Sequence, residues 1–164
     1  MRHLTVLLAL FALPGTALAQ CPTGAETLIA CTLKGGTKRV ETCLMGESAL
    51  YRFGPVGGTP ELELSAHIRD VGMTPWPGVS RSIWEAVIFY NRDISYEVSY
   101  AIDRDPEANE VTGSVAVLRG DDTLAILDCD RGTVQSAGYP LPLFDAKERA
   151  GQCWRFESHD WGGC

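Results

Sequence analysis

Glu85 is the residue that draws attention first. It interrupts Ile83-Trp84-Glu85-Ala86-Val87-Ile88-Phe89-Tyr90, a run otherwise apolar on both faces. A carboxylate in such a setting must be paired, be protonated or point to a rim. Arg52, Arg69 and Arg81 are the candidate partners. As a general acid or ligand anchor it would carry a raised pKa. As a structural group it would fix the fold through an ion pair, and one lone carboxylate favours that second reading.

A second constellation is the segment Met73-Thr74-Pro75-Trp76-Pro77-Gly78. Proline on both sides of Trp76 reduces the freedom lost on binding, and tryptophan is enriched where binding energy concentrates. Trp76, with Arg69, Arg81 and Glu85, forms the set of candidate binding residues. The competing use of Trp76 is as a lid folded back over the end of the core.

Other groupings carry less chemistry. Asp103, Asp105, Glu107 and Asn109, with Glu110, place oxygens at alternate positions as a calcium loop does, but Pro106 lies inside and Ala108 stands where the sharp turn needs glycine. A solvated hairpin tip explains them better. His159-Asp160-Trp161 has no nucleophile fixed beside it, and no Gly-x-Ser-x-Gly elbow or glycine-rich phosphate loop occurs. No catalytic residue, metal site or cofactor is therefore expected.

Six cysteines follow the first 20 residues: Cys21, Cys31, Cys43, Cys129, Cys153 and Cys164. An even number without a Cys-x-x-Cys pair reads as three disulfides, with the connectivity open among 15 possibilities. Three lie near one end and three near the other, so at least one bridge must join the two groups. Disulfides imply an oxidising compartment. The N-terminus agrees. Met-Arg-His is followed by an apolar run from Leu4 to Leu13 and by Ala17-Leu18-Ala19, the layout of a cleavable secretory signal peptide over residues 1–19. Gln20 before Cys21 argues against lipid attachment. The expected product is a periplasmic or secreted chain of residues 20–164, with no membrane span.

The full chain carries a net charge of −7, and losing Arg2 with the leader makes it −8. No Lys/Arg cluster interrupts that charge, so nucleic acid and anionic membrane surfaces are excluded as partners. A protein in the periplasm or outside the cell is the expected partner.

The elements that must position these residues are strands. Lys34-Gly35-Gly36 separates runs at 27–33 and 37–44, and Gly54-Pro55-Val56-Gly57-Gly58 separates 50–53 from 61–65. Glycine reaches positive φ without steric cost, so such breaks read as turns. Asn91-Arg92-Asp93 joins 83–90 to 94–102, and Arg119-Gly120-Asp121-Asp122 joins 111–118 to 123–129. Within 94–102, Ile94, Tyr96, Val98, Tyr100 and Ile102 share one face and Ser95, Glu97, Ser99 and Ala101 the other, a period of two. Residues 67–81 read as a loop and 154–164 as cysteine-anchored coil, while Pro140-Leu141-Pro142 breaks the chain before one or two helical turns at 143–150. About eight strands in sequence predict an antiparallel meander, a small barrel or sandwich with a core over about 27–130 and an irregular disulfide-tied tail over about 131–164.

The segments Lys38…Val40…Cys43, Tyr51-Arg52-Phe53-Gly54, Pro60-Glu61-Leu62-Glu63-Leu64 and Glu85…Phe89-x-Asn91…Tyr96-x-Val98 resemble a group of small exported bacterial β proteins of unestablished function. The resemblance covers roughly residues 31–129 and implies a β fold without adding a catalytic residue. A looser likeness is to periplasmic inhibitors of c-type lysozyme, which present a loop with Ser-Gly before a nearby Tyr. The nearest text here is Ser136-Ala137-Gly138-Tyr139. That likeness implies a non-catalytic binding protein acting on a hydrolase. The alternatives are a small-ligand carrier that uses the interior beside Tyr96, Val98 and Tyr100, or a hydrolase built on Glu85 with a second acid.

Overall fold

The computed structural model describes residues 21–105, 107–108 and 110–164. The signal peptide expected over residues 1–19 and Gln20 lie outside the described residues, as do Pro106 and Asn109. The chain folds as a β sandwich of two five-stranded antiparallel sheets with a C-terminal hairpin.

The first sheet contains β1 (Glu26–Leu33), β2 (Lys38–Met45), β3 (Ser48–Pro55), β4 (Leu62–His67) and the two-residue β10 (Gln135–Ser136), in the order β10-β1-β2-β3-β4. The second contains β5 (Gly72–Thr74), β6 (Ser82–Asn91), β7 (Ile94–Asp103), β8 (Val111–Arg119) and β9 (Asp122–Asp128), in sequential order. Each predicted hairpin forms. Lys34, Gly35 and Gly36 all have positive φ, and Asp130 accepts hydrogen bonds from the Gly35 and Gly36 amides at 2.9 and 2.7 Å. That turn is thus held by a residue almost a hundred positions away.

Period-two patterning decides which face is buried. Tyr96, Val98, Tyr100 and Ile102 of β7 turn inward and meet Val87 and Phe89 of β6. From the first sheet come Leu28, Leu33, Val40, Tyr51, Leu62 and Leu64. Tyr51 stands at the centre, its ring 5.7 Å from Phe89 and 5.4 Å from Tyr96. On the outer face of the first sheet Glu41, Arg52 and Glu63 align across three strands. Glu41 is buried there between Arg39 and Arg52. Burial pushes its carboxyl up while the two arginines pull it down.

Three disulfides form: Cys21–Cys43, Cys31–Cys129 and Cys153–Cys164. Cys31–Cys129 is the bridge that joins the two cysteine groups. It ties the first sheet to the end of β9 in the second, where Leu33 and Cys129 also pair.

Several segments differ from the sequence reading. The expected loop at 67–81 contains β5, which pairs with β6 from Gly72↔Ile88 to Thr74↔Ala86. Three residues are too few for a periodic signal, and the neighbouring strand supplies the pairing. The expected coil at 154–164 is instead a hairpin of β11 (Gln152–Arg155) and β12 (Asp160–Gly163). Trp154 and Trp161 face each other across it, and Cys153–Cys164 closes it. Between the sandwich and this hairpin runs α1 (Pro142–Arg149). Pro142 opens that helix and does not break it, because the first helical turn has no use for the amide hydrogen that proline lacks.

Candidate functional site

β5 ends at Thr74, and Pro75 is buried beneath the loop that follows. Gly78 and Ser80 take positive φ and fold this loop back on itself. The Trp76 Nε1–H then donates to the Val79 carbonyl at 2.8 Å. Tyr139 meets the indole edge to face at 5.6 Å, and the Arg104 guanidinium lies 5.5 Å from the ring centroid. Arg104 also donates to the Ser80 carbonyl at 3.2 Å. Arg81 pairs with Asp103 at 3.0 Å, and the Asp105 amide bonds the same carboxylate at 2.9 Å. These contacts, the Asp105 amide foremost, hold the Asp103 carboxyl below its ordinary range. The segments around 76–81, 103–105 and 136–141 therefore form one rim at one end of the sandwich. Val79 and Tyr139 are its exposed apolar groups, 68% and 50% accessible. Trp76 is half-buried and is held between the Val79 carbonyl, the Tyr139 ring and the Arg104 guanidinium.

Glu85 lies beneath this rim, 0% exposed. Its Oε2 accepts from the Tyr100 hydroxyl at 3.0 Å and from the Leu141 amide at 2.8 Å. Oε1 has no hydrogen-bond partner among the described residues. None of the three candidate arginines reaches it. Arg52 binds Glu63, Arg69 donates to the Ala150 carbonyl and Arg81 binds Asp103. Burial raises the Glu85 carboxyl to about 6, against the lowering by the Leu141 amide and the Tyr100 hydroxyl. The partners are neutral because β6 pairs Glu85 with Tyr100, and the chain returning at 136–141 supplies backbone.

Arg69 stands apart from the other three candidate residues, at the opposite end of β5. It lines a cavity of about 270 Å³ between β5, β6 and the C-terminal hairpin, with Tyr90, Gln152, Trp154, His159 and Trp161. Lys147 forms part of its wall. It is buried, and its ammonium donates to the Ile68 and Val71 carbonyls at 2.7 and 2.6 Å while facing the Trp161 ring at 5.1 Å. Burial lowers Lys147 to about 8, opposed by Asp70. Sequence reading passed over Lys147, although Leu143, Ala146 and Lys147 fall on one helical face and that spacing marks an inward position.

A second concavity, about 340 Å³, lies on the outer face of the second sheet and is lined by Trp84, Glu97, Ser99, Ser114 and Asp128 among others. Ser99 and Glu97 belong to the polar face expected for β7, and the Ser99 and Ser114 hydroxyls are 3.1 Å apart. Partial burial raises the Glu97 carboxyl. Two further acidic groups serve turns. Asp105 accepts from the Glu107 amide at 3.0 Å, and Asp160 is held by Arg155 and Ser158. Among the described residues no three His, Cys, Asp or Glu side chains cluster as metal ligands, and no helix is long and apolar enough to cross a membrane.

Neither a family model, nor a curated protein, nor a solved structure matches the chain. The functional reading therefore rests on geometry. A stiff aromatic rim can present apolar surface at little cost in conformational entropy. The Glu85 carboxyl beneath it is buried.

Proposed function

We propose that this is a non-catalytic binding module of the periplasm or extracellular medium, and that its partner is a protein, with an exported hydrolase as the favoured class. The signal-like N-terminus and three disulfides support the compartment. The observation that carries the contact surface is the locking of Trp76 on three sides, by Val79, Tyr139 and Arg104, beside exposed Val79 and Tyr139. Pre-organised tryptophan and tyrosine are the residues on which binding energy concentrates. Ser136-Ala137-Gly138-Tyr139, which departs from the inhibitors' Ser-Gly pattern, delivers Tyr139 to that rim. The carrier alternative needs space between the sheets, and Tyr51, Phe89, Val98 and Tyr100 occupy it.

The test immobilises the disulfide-intact protein and passes over it c-type lysozyme, then the extracytoplasmic fraction of the source cells. A retained protein should bind Trp76→Ala and Tyr139→Ala about 30-fold more weakly, the equivalent of a ~2 kcal/mol hot spot. Equal retention by wild type and both variants would remove the rim from the account. Full lysozyme activity at saturating protein would remove the lysozyme-inhibitor reading.

A further inference from the structure

We infer that protonation of Glu85 latches the Tyr139 segment onto the second sheet, and that the rim loosens when the proton leaves. The claim that the latch regulates binding rests on the rim being the contact surface. The latch itself rests on a count of protons.

The Tyr100 hydroxyl lies 3.0 Å from Glu85 Oε2 and 3.0 Å from the Gly138 carbonyl. It has one proton for two acceptors. If Glu85 is charged, Tyr100 donates to the carboxylate and the Gly138 carbonyl loses that donor. The buried Oε1 is then part of an anion with no hydrogen bond of its own among the described residues. If Glu85 is protonated on Oε2, the chain closes. Oε2–H donates to the Tyr100 oxygen, Tyr100 O–H donates to Gly138 O, and the Leu141 N–H still donates to Oε2 at 2.8 Å. Each donor has an acceptor, and Oε1 becomes a neutral carbonyl oxygen, far cheaper to bury than a charge.

The two ends of this chain, Gly138 and Leu141, bracket Tyr139, whose ring braces Trp76. The protonation state of one buried group thereby bears on the stiffness of the rim.

The titratable group that β7 turns toward Glu85 is Tyr100, and the returning segment contributes Tyr139 next to it. The charged groups at this end of the sandwich have other partners. Arg81 pairs with Asp103, and Arg104 sits over Trp76. The carboxyl is raised to about 6 in the folded protein, from an ordinary value of 4.5. The latch is therefore closed at the lower of these pH values and opens as pH rises through the upper one.

The experiment uses the disulfide-intact protein alone, wild type and Glu85→Gln. Glutamine keeps the shape and removes the titrating proton; its amide nitrogen can donate to Tyr100 but cannot accept from the Leu141 amide, so the variant tests the loss of titration and not the strength of the closed latch. Carbon NMR of the Glu85 carboxyl follows its titration directly. Amide exchange at 136–141, corrected for the intrinsic pH effect, follows the latch. The expected result is a Glu85 midpoint near 6, with exchange in wild type speeding on the order of tenfold across it. Glu85→Gln should show no pH step, whatever its rate. An ordinary carboxylate midpoint overturns the proposal, and that readout needs no variant. So does flat exchange in wild type, or a pH response that survives in Glu85→Gln. Because no partner is present, a failed latch leaves the rim-binding result standing, and failed rim binding leaves the latch measurable.

Discussion

The double variant Cys31→Ser/Cys129→Ser should unfold about 10–20 °C below wild type. The bridge spans 98 residues of sequence. In the chain-entropy treatment, releasing a loop of that length costs roughly 4–5 kcal/mol, a large share of the ~5–15 kcal/mol that holds a domain of this size. The position of the bridge adds to the length effect. It is the covalent tie between the first sheet and β9 of the second, and the Asp130 bonds to the β1–β2 turn lie one residue beyond it. Cys153–Cys164 spans only 11 residues and closes a peripheral hairpin. Its removal should cost the sandwich clearly less, with the loss confined to the tail. Equilibrium denaturation of the two double variants makes the comparison. A Cys31/Cys129 variant within about 1 kcal/mol of wild type would mean that hydrogen bonding alone keeps the sheets registered at that end.

Lys147→Met should destabilise the protein by roughly 2–4 kcal/mol. Methionine keeps the apolar stem but removes the donor that serves the Ile68 and Val71 carbonyls. Hydrogen bonds to a charged group contribute about 1.5–3 kcal/mol each, and the two carbonyls become buried acceptors without a donor. Relief from burying an ammonium offsets part of this, since burial disfavours the charged form enough to bring Lys147 down to about 8. The net sign follows from geometry. One ammonium joins α1 to the connection between β4 and β5, so its loss releases the helix and the wall of the hairpin cavity together. Urea denaturation with disulfides intact gives the value. A variant as stable as wild type would mean that the desolvation of the charge equals everything its bonds contribute.

Much of the sandwich is legible in the sequence because its signals are local. Gly-Gly and Asn-Arg-Asp turns, with alternation at Leu62–Leu64 and Tyr96–Tyr100, locate the long hairpins and their inner faces. β5 and β10 are not legible, being two or three residues held by a neighbouring strand. The tail hairpin is hidden for a related reason. Trp154 and Trp161 reveal their pairing only once the turn between them is formed. At the site, sequence singles out Trp76 and Glu85 but not their partners. Nothing local links Glu85 to Tyr100 and Leu141, the second of which lies 56 residues away. An apolar run with one carboxylate suggests an arginine; the fold supplies a phenol and an amide. Those neutral partners change what Glu85→Gln tests. With an arginine partner it would strand a buried cation and destabilise. With neutral partners and a carboxyl raised to about 6, Glu85 contributes its stability below the unfolded pKa. That contribution is lost as pH rises through 6, so wild type should lose about 1–2 kcal/mol across that range and Glu85→Gln should lose none.

The most direct measurement is site-specific photo-crosslinking in the source compartment. A photoreactive side chain replaces Val79 on the rim, Tyr90 beside the hairpin cavity, or Ile126 on β9, which is 62% exposed on the far edge of the second sheet. If the rim is the contact surface, position 79 yields a discrete protein adduct, Trp76→Ala abolishes it, and positions 90 and 126 yield none. An adduct from position 90 or 126 with none from 79 would contradict the account and move the binding surface away from Trp76.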